Sequence, residues 1–386
     1  MQDGAPSLAR VLSLAREQAP GVAVARAEIG VGRASYVGAR LSPLTNPYVE
    51  LVAGAGSSGT KDITLQGSLF VPVEVSGQRG RRVAESDALV AWQEANLGAS
   101  RASAAGEAVR AFGATVVAAG KVRTFLEIVA GARAESDLYA ARRAAGDATE
   151  QDAKLAQVEL AKNTVILEES RADLGRALTW LNGLTGARFV DAPAEDSLEP
   201  PPLGDAPADP AAVARGAPLV QASHQESMFH ARTKERQATD AHAPLNLIVS
   251  VGRGDLGEAR IGGGLGWSFP FFRRNQGEQA RAEAERSRAI VERDVRARMI
   301  ASLVAGLHAE RAQVRRALTE IIQVAEPAAQ ASVDAALTMQ RAGKGELLHV
   351  LTARRDLALL KARRLDLLAR EWSIVSDLVA LTGELP

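Results

Sequence analysis

The chain has 386 residues, in which 46 basic side chains balance 46 acidic ones and aromatics make up only 4%. Zero net charge argues against a nucleic-acid binder, which needs a basic surplus or patch to neutralise phosphates. Cysteine is absent, which excludes disulfides, thiolate metal sites, thiol nucleophiles and an acylated N-terminal cysteine in this sequence.

No run of about 18 apolar residues exists, so no transmembrane helix is expected. The opening MQDGAPSLARVL lacks the basic-then-apolar layout of a signal peptide. The expectation is therefore a mature start, its signal already removed, rather than a cytosolic chain.

An internal repeat organises the sequence. Gly146 in RRAAGDATEQD matches Gly343 in QRAGKGELLHV, and Gly186 in WLNGLTG matches Gly383 in DLVALTG, both pairs 197 residues apart. Pro47 and Pro244 share that offset, while Pro20 with Pro218 and Pro72 with Pro270 lie 198 apart. The expected organisation is a first repeat at 1–190, a Pro-rich acidic linker at 191–210 and a second repeat at 211–386.

In chain order, each half begins with a helix, continues through two short strands and ends in two very long helices. Residues 73–192 lack proline, and from Glu74 to about Ala145 the pattern is Ala-rich and amphipathic. A helix of that span would reach on the order of 100 Å. Gly146 breaks it, and a second helix runs to about Leu184, stopped by Gly186. The second half runs from about Asn275 through a break at Gly343 to Thr382, with Pro327 expected to kink or break its long helix. Helices this long suggest a coiled coil or helical barrel.

Four segments, 47–56, 63–71, 244–252 and 261–269, alternate with period two. They form two expected hairpins, 47–71 and 244–269. One face holds Val49, Leu51, Leu65, Leu69, Leu247, Val249, Leu265 and Trp267; the other holds Glu50, Thr64, Gln66, Ser68, Asn246 and Ser250. Two readings stand open here. The strands are either soluble hairpins packed on the helices or transmembrane β-strands whose apolar face meets lipid. The polar hairpin loops, SSGTKD and RGDLGEAR, suit the second. Open sheet edges are not tolerated in lipid, so four strands per chain would demand several chains; three would supply twelve. Trp267 fits an interfacial aromatic.

With strands and helices in that order, and duplicated, the chain resembles the TolC-like outer-membrane efflux family over nearly its whole length. The likeness is sharpest at FVPVEVSGQRGRRVAESDA, where Pro72 would end the strand and Gly77, Arg79 and Arg82 follow. SFPFFRRNQGEQARAEAE, with Pro270, Arg274, Asn275 and Gly277, resembles the same junction in the CzcC-like heavy-metal resistance branch. The resemblance implies an α+β membrane protein. Its homotrimer would form a 12-stranded transmembrane β-barrel continuous with a 12-helix periplasmic α-barrel, and the linker would belong to an equatorial belt. It also implies a Gram-negative outer-membrane location with a large periplasmic part, and partners in a periplasmic adaptor and an inner-membrane RND pump. The periplasmic tip, adaptor docking and gate would involve Gly146, Asp147, Gly343, Lys344, Glu346 and His349. Acidic residues commonly follow the second tip glycine in the family; His349 stands where an aspartate is usual, and Glu346 is the nearest acid.

The function expected is a passive export duct, most simply for heavy-metal cations. Drug efflux, type I secretion and a soluble periplasmic helical adaptor are the alternatives. No nucleophile elbow, Walker loop or dinucleotide fingerprint is present, and Gly252–Gly266 joins two strands rather than a strand and a helix, so neither enzyme nor cofactor is expected. The histidines His224, His230, His242, His308 and His349 lack zinc-motif spacing and are expected to be ordinary surface or tunnel residues, with His349 a possible pH-sensitive group at the entrance.

Overall fold

A computed structural model describes residues 4–55, 63–194, 197–253, 258–342 and 346–384. The first half contains α1 (Leu8–Gln18), α2 (Pro20–Ala39), β1 (Tyr48–Ala55), β2 (Ile63–Val73), α3 (Gln78–Ala145) and α4 (Glu150–Thr185). The second contains α5 (Pro210–Gly216), α6 (Pro218–Asp240), β3 (Leu245–Arg253), β4 (Ala259–Gly266), α7 (Gln276–Glu320), a π-turn (Ile321–Ala325), α8 (Glu326–Arg341) and α9 (Leu347–Thr382).

Prolines account for two departures from expectation and for the form of one interruption. The opening helix of each half is divided, because Ala19 and Ala217 precede Pro20 and Pro218 and take extended ψ values of 140° and 133°. Pro72 does not end its strand. It lies within β2 and pairs with Asn246, beyond the last β1 pair at Tyr48 and Phe70, so its missing N–H faces an unpaired edge and breaks no ladder bond. Pro327, expected to kink or break its helix, follows the interruption between α7 and α8. The preceding π-turn, with the Glu326 N–H bonded to the Ile321 carbonyl, absorbs the proline while the backbone stays αR on both sides.

The chain forms two compact units, each drawing on both halves. One comprises residues 1–24, 98–218 and 297–386. Its core is an Ala-rich face of α3 (Ala105, Ala108, Phe112, Val116) with Trp372, Val375, Leu378 and Val379 of α9, Ile300 and Val304 of α7, and Val11 of α1. Close approach requires small residues. A Cβ on Gly113 would stand 2.5 Å from the Trp372 ring, and one on Gly106 would stand 2.5 Å from Ala380. Fully buried Glu371 is held by Arg311 and Arg315. The linker fastens beside it, since Trp372 Nε1 donates to the Leu198 carbonyl at 3.1 Å and Arg315 pairs with Glu199 at 3.6 Å.

The other unit comprises residues 25–97 and 219–296 and holds the sheet. All neighbours are antiparallel, in the order β1-β2-β3-β4. The two hairpins are thus one sheet, joined where β2 meets β3 through pairs such as Leu69 with Val249. In the same unit Trp92 stacks on Phe229 at 5.4 Å, and Arg82 pairs with Glu74 at 2.9 Å where β2 turns into α3.

Candidate channel surfaces

The sheet register decides which side chains share a face. Val49, Leu69, Val249 and Gly263 form one cross-strand row; Leu51, Gly67, Val251 and Ile261 form the next. Val71, Leu247 and Leu265 flank them on one side, and Ala53, Leu65, Arg253 and Ala259 on the other. Seven of the eight residues expected on the apolar face lie in these rows. Trp267 does not, because β4 ends at Gly266, short of the expected residue 269. The opposite face carries Glu50, Gln66, Ser68, Ser250 and Gly262.

This apolar face is bare. Leu51 is 74% exposed, Leu265 70% and Ile261 82%, and Val49, Leu65, Val249 and Trp267 are exposed with them. An apolar surface this continuous marks a contact with lipid or protein, and nothing in the described chain covers it. This face, at least, is not packed on the helices of the described chain. No helix among the described residues is long and apolar enough to cross a membrane.

The expected tip residues are partly within view. Gly146 ends α3 with φ 85°, its N–H bonds to the Arg143 carbonyl and that of Asp147 to Arg142. This is a Schellman turn, whose left-handed position favours glycine. Three residues on, Thr149 and Asp152 form a capping box that starts α4, with bonds of 3.1 and 3.2 Å. The T-x-x-D spacing of that box is legible in sequence and defines the second half of the turn. Gly343, Lys344 and the neighbouring Gly345 lie outside the described residues. Glu346 is an exposed N-cap without a side-chain bond, and His349 is exposed in the first turn of α9.

Behind these turns lies a group that no local pattern revealed. Leu347 and Leu351 pack on Tyr139 and Ala156. Buried Gln340 of α8 donates to Glu135 at 2.8 Å and to the Tyr139 hydroxyl at 3.0 Å, both on α3. Arg354 of α9 pairs with Glu135 at 3.2 Å and donates to the Gly131 carbonyl at 3.0 Å. The carboxylate of Glu135 thus ties α3 to α8 and α9 together. Beside it opens a groove of about 620 Å³ lined by Phe125, Asn163, Ile166, Arg354 and Leu357.

Among the described residues no three His, Asp or Glu side chains gather as a metal site. One histidine departs from expectation. His230 is buried, its Nδ1 3.2 Å from Glu285 and its Nε2 3.9 Å from Glu226, against Phe229 and Trp92. At His308, burial and then the charge of Arg311 lower the imidazole pKa.

No family model matches the chain. It is 26% identical over 98% of its length to the cobalt-zinc-cadmium resistance protein CzcC of Cupriavidus metallidurans, covering 90% of that protein. Its fold matches the outer-membrane channel OprN with a TM-score of 0.76 at 18% identity, covering 98% of this chain and 90% of that one. It also matches the open state of the MtrE outer membrane channel of Neisseria gonorrhoeae, with a TM-score of 0.73 at 16% identity and coverage of 98% and 89%. These solved relatives are channels rather than enzymes. The chain thus shares the fold of solved outer-membrane channels and resembles CzcC along nearly its whole length.

Proposed function

We propose that three copies of this chain close a twelve-stranded barrel in the outer membrane of a Gram-negative bacterium, above a twelve-helix periplasmic tunnel. The assembly is a passive efflux duct served by a periplasmic adaptor and an inner-membrane RND pump. Heavy-metal cations are the cargo, a choice supported by the likeness to a cobalt-zinc-cadmium resistance protein. The observation that carries the barrel is the bare apolar sheet face flanked by two open edges: β1 and β4 have no outer partner among the described residues. Edges in lipid must be paired, and neighbouring copies are the available strands.

In this reading Val49, Leu51, Leu65, Leu69, Leu247, Val249 and Leu265 face lipid, with Trp267 at the interface. The repeats at 1–190 and 211–386 each supply one hairpin and one pair of long helices, and 191–210 packs outside them. The adaptor docks at the turns containing Gly146, Asp147, Gly343, Lys344, Glu346 and His349, and the gate lies there. Light scattering of the detergent-extracted protein tests the assembly, with a trimer expected and a well-folded monomer overturning it. Gly146→Val should leave the trimer intact, since no atom lies within 4 Å of the Cβ position. The strained φ should nevertheless weaken capture of the adaptor and export. Undiminished capture would place docking elsewhere.

A further inference from the structure

We propose that the turn joining β4 to α7, residues 267–275, binds the headgroups of anionic phospholipids in the periplasmic leaflet. The proposal rests on the barrel reading above and names a ligand for that barrel's lower rim.

Three observations converge on this turn. The first is an aromatic ladder that continues the apolar face past the end of the strand. After Leu265, the rings of Trp267 and Phe269 lie 4.5 Å apart and those of Phe269 and Phe271 5.9 Å apart. All three are exposed, and Phe272 beside them is 92% exposed.

The second is that the turn is built rather than loose. The Phe271 amide donates to the Phe269 carbonyl at 2.9 Å, and Gln276 Nε2 donates to the Phe272 carbonyl at 2.8 Å. Asn275 adopts a φ of 54° and donates from its side chain to the Gln237 carbonyl of α6 at 3.1 Å. Gln279 Nε2 closes on the Arg274 carbonyl at 2.6 Å. A phenyl ring held in the open by satisfied backbone bonds is favourable where an apolar phase covers it.

The third is charge. Residues 261–277 include Arg273 and Arg274 but no acid, and the next acid, Glu278, forms no ion pair with either. Both arginines are exposed, and neither forms an ion pair among the described residues. Arg274 Nε donates to the Pro270 carbonyl at 3.2 Å, which leaves its cationic charge uncompensated. The corresponding junction after β2 differs. There Arg82 is neutralised by Glu74 at 2.9 Å, and the exposed apolar residues are the aliphatic Val73 and Val75.

Aromatic rings settle at the membrane–water boundary, and guanidinium groups bind phosphate with paired hydrogen bonds. The ladder is continuous with the proposed lipid-facing surface, which favours lipid over an acidic protein as the occupant. Two cations that form no ion pair among the described residues favour an anionic headgroup over a zwitterionic one. A pair of basic residues near an anionic surface is worth about a thirtyfold preference, or about fivefold each.

Native mass spectrometry of the detergent-purified full-length trimer, titrated with phosphatidylglycerol or phosphatidylethanolamine, tests the assignment. The expected result is about a thirtyfold preference for phosphatidylglycerol. It should be abolished in Arg273→Gln/Arg274→Gln and reduced about fivefold in Arg273→Gln alone, a side chain that makes no bond within the described fold. Phe272→Ser should weaken both lipids alike. Equal binding of the two lipids, or an unchanged preference in the double variant, overturns the anchor while the trimer stands. A monomer in the same spectra overturns the barrel reading and the anchor with it.

Discussion

Placing an arginine at Val249 puts a charge at the middle residue of the nine-residue strand β3. Its row also contains Val49, Leu69 and Gly263. Arg253, a native charge of the same strand and parity, lies four residues away, or about 13 Å at the rise of a strand. With a strand tilt near 40°, Val249 is about 10 Å deeper than that charge. Arginine near the midplane costs about 2–4 kcal/mol per chain, falling to about 0–1 at the interfaces. Val249→Arg should therefore carry the full cost, whereas Leu65→Arg, in the row of Arg253, should approach the interfacial value. Ser250→Arg points to the opposite face, between Ser68 and Gly262, and should cost under about 1 kcal/mol. Urea titration of refolding into phospholipid vesicles, read by the heat-sensitive mobility of the folded barrel, ranks the three variants. Equal costs at Val249 and Ser250 would refute a lipid-facing assignment of this surface.

Three further outcomes follow from the packing. Gly113→Val places a branched side chain where even a Cβ stands 2.5 Å from Trp372, so thermal stability should fall by at least about 1–3 kcal/mol. Gly98→Ala, with open space at its Cβ, should raise it by about 0.5–1 kcal/mol; equal effects would mean that α3 and α9 are not in close contact. Arg354→Gln leaves Glu135 buried with its charge unmatched, at a cost of about 3 kcal/mol, the lower end of the range because Arg354 is part-exposed. Single-channel conductance should rise as α3 and α9 separate, and Glu135→Gln in the same chain should restore most of the stability. Unchanged conductance would show that the Glu135 ties between α3, α8 and α9 do not hold the duct narrow. Burial alone would raise the pKa of Glu74, but bonds from Arg82, the Leu44 amide and Ser42, with the Arg82 charge, outweigh it and lower the value. The folded-state pKa is thus depressed, so the stabilisation is present above the unfolded value near 4.5 and is lost as pH falls through the folded one. Glu74→Gln should flatten the acid limb of the stability curve below pH 4.5; an identical limb would show that the Glu74–Arg82 pair contributes nothing there.

Local periodicity and punctuation were enough to locate most of the elements. Alternation marked the four strands, because a side-chain period of two survives in any half-buried sheet, and the register places the odd-numbered apolar residues on one face. Gly146, Gly186 and Gly383 marked helix ends because each has a positive φ that other residues adopt at a cost. Pro72 misled, whereas Pro327 stands where a π-turn interrupts the long helix. A proline excludes one hydrogen bond, and only the surroundings decide whether that bond was needed. Pro72 has no β1 neighbour at its level, and Pro327 follows a π-turn.

What the sequence could not disclose are the meetings of distant residues. The pairing of β2 with β3 merges two hairpins into one sheet through partners such as Phe70 and Ile248. Gln340 and Arg354 find Glu135 across more than two hundred residues. His230, polar and unremarkable in its helix, is buried because Glu285 and Trp92 arrive from other elements. A helix or strand is stabilised by neighbours a few residues away, so its pattern is written locally. A buried polar group is stable only where a particular partner satisfies it, and tertiary packing alone selects that partner.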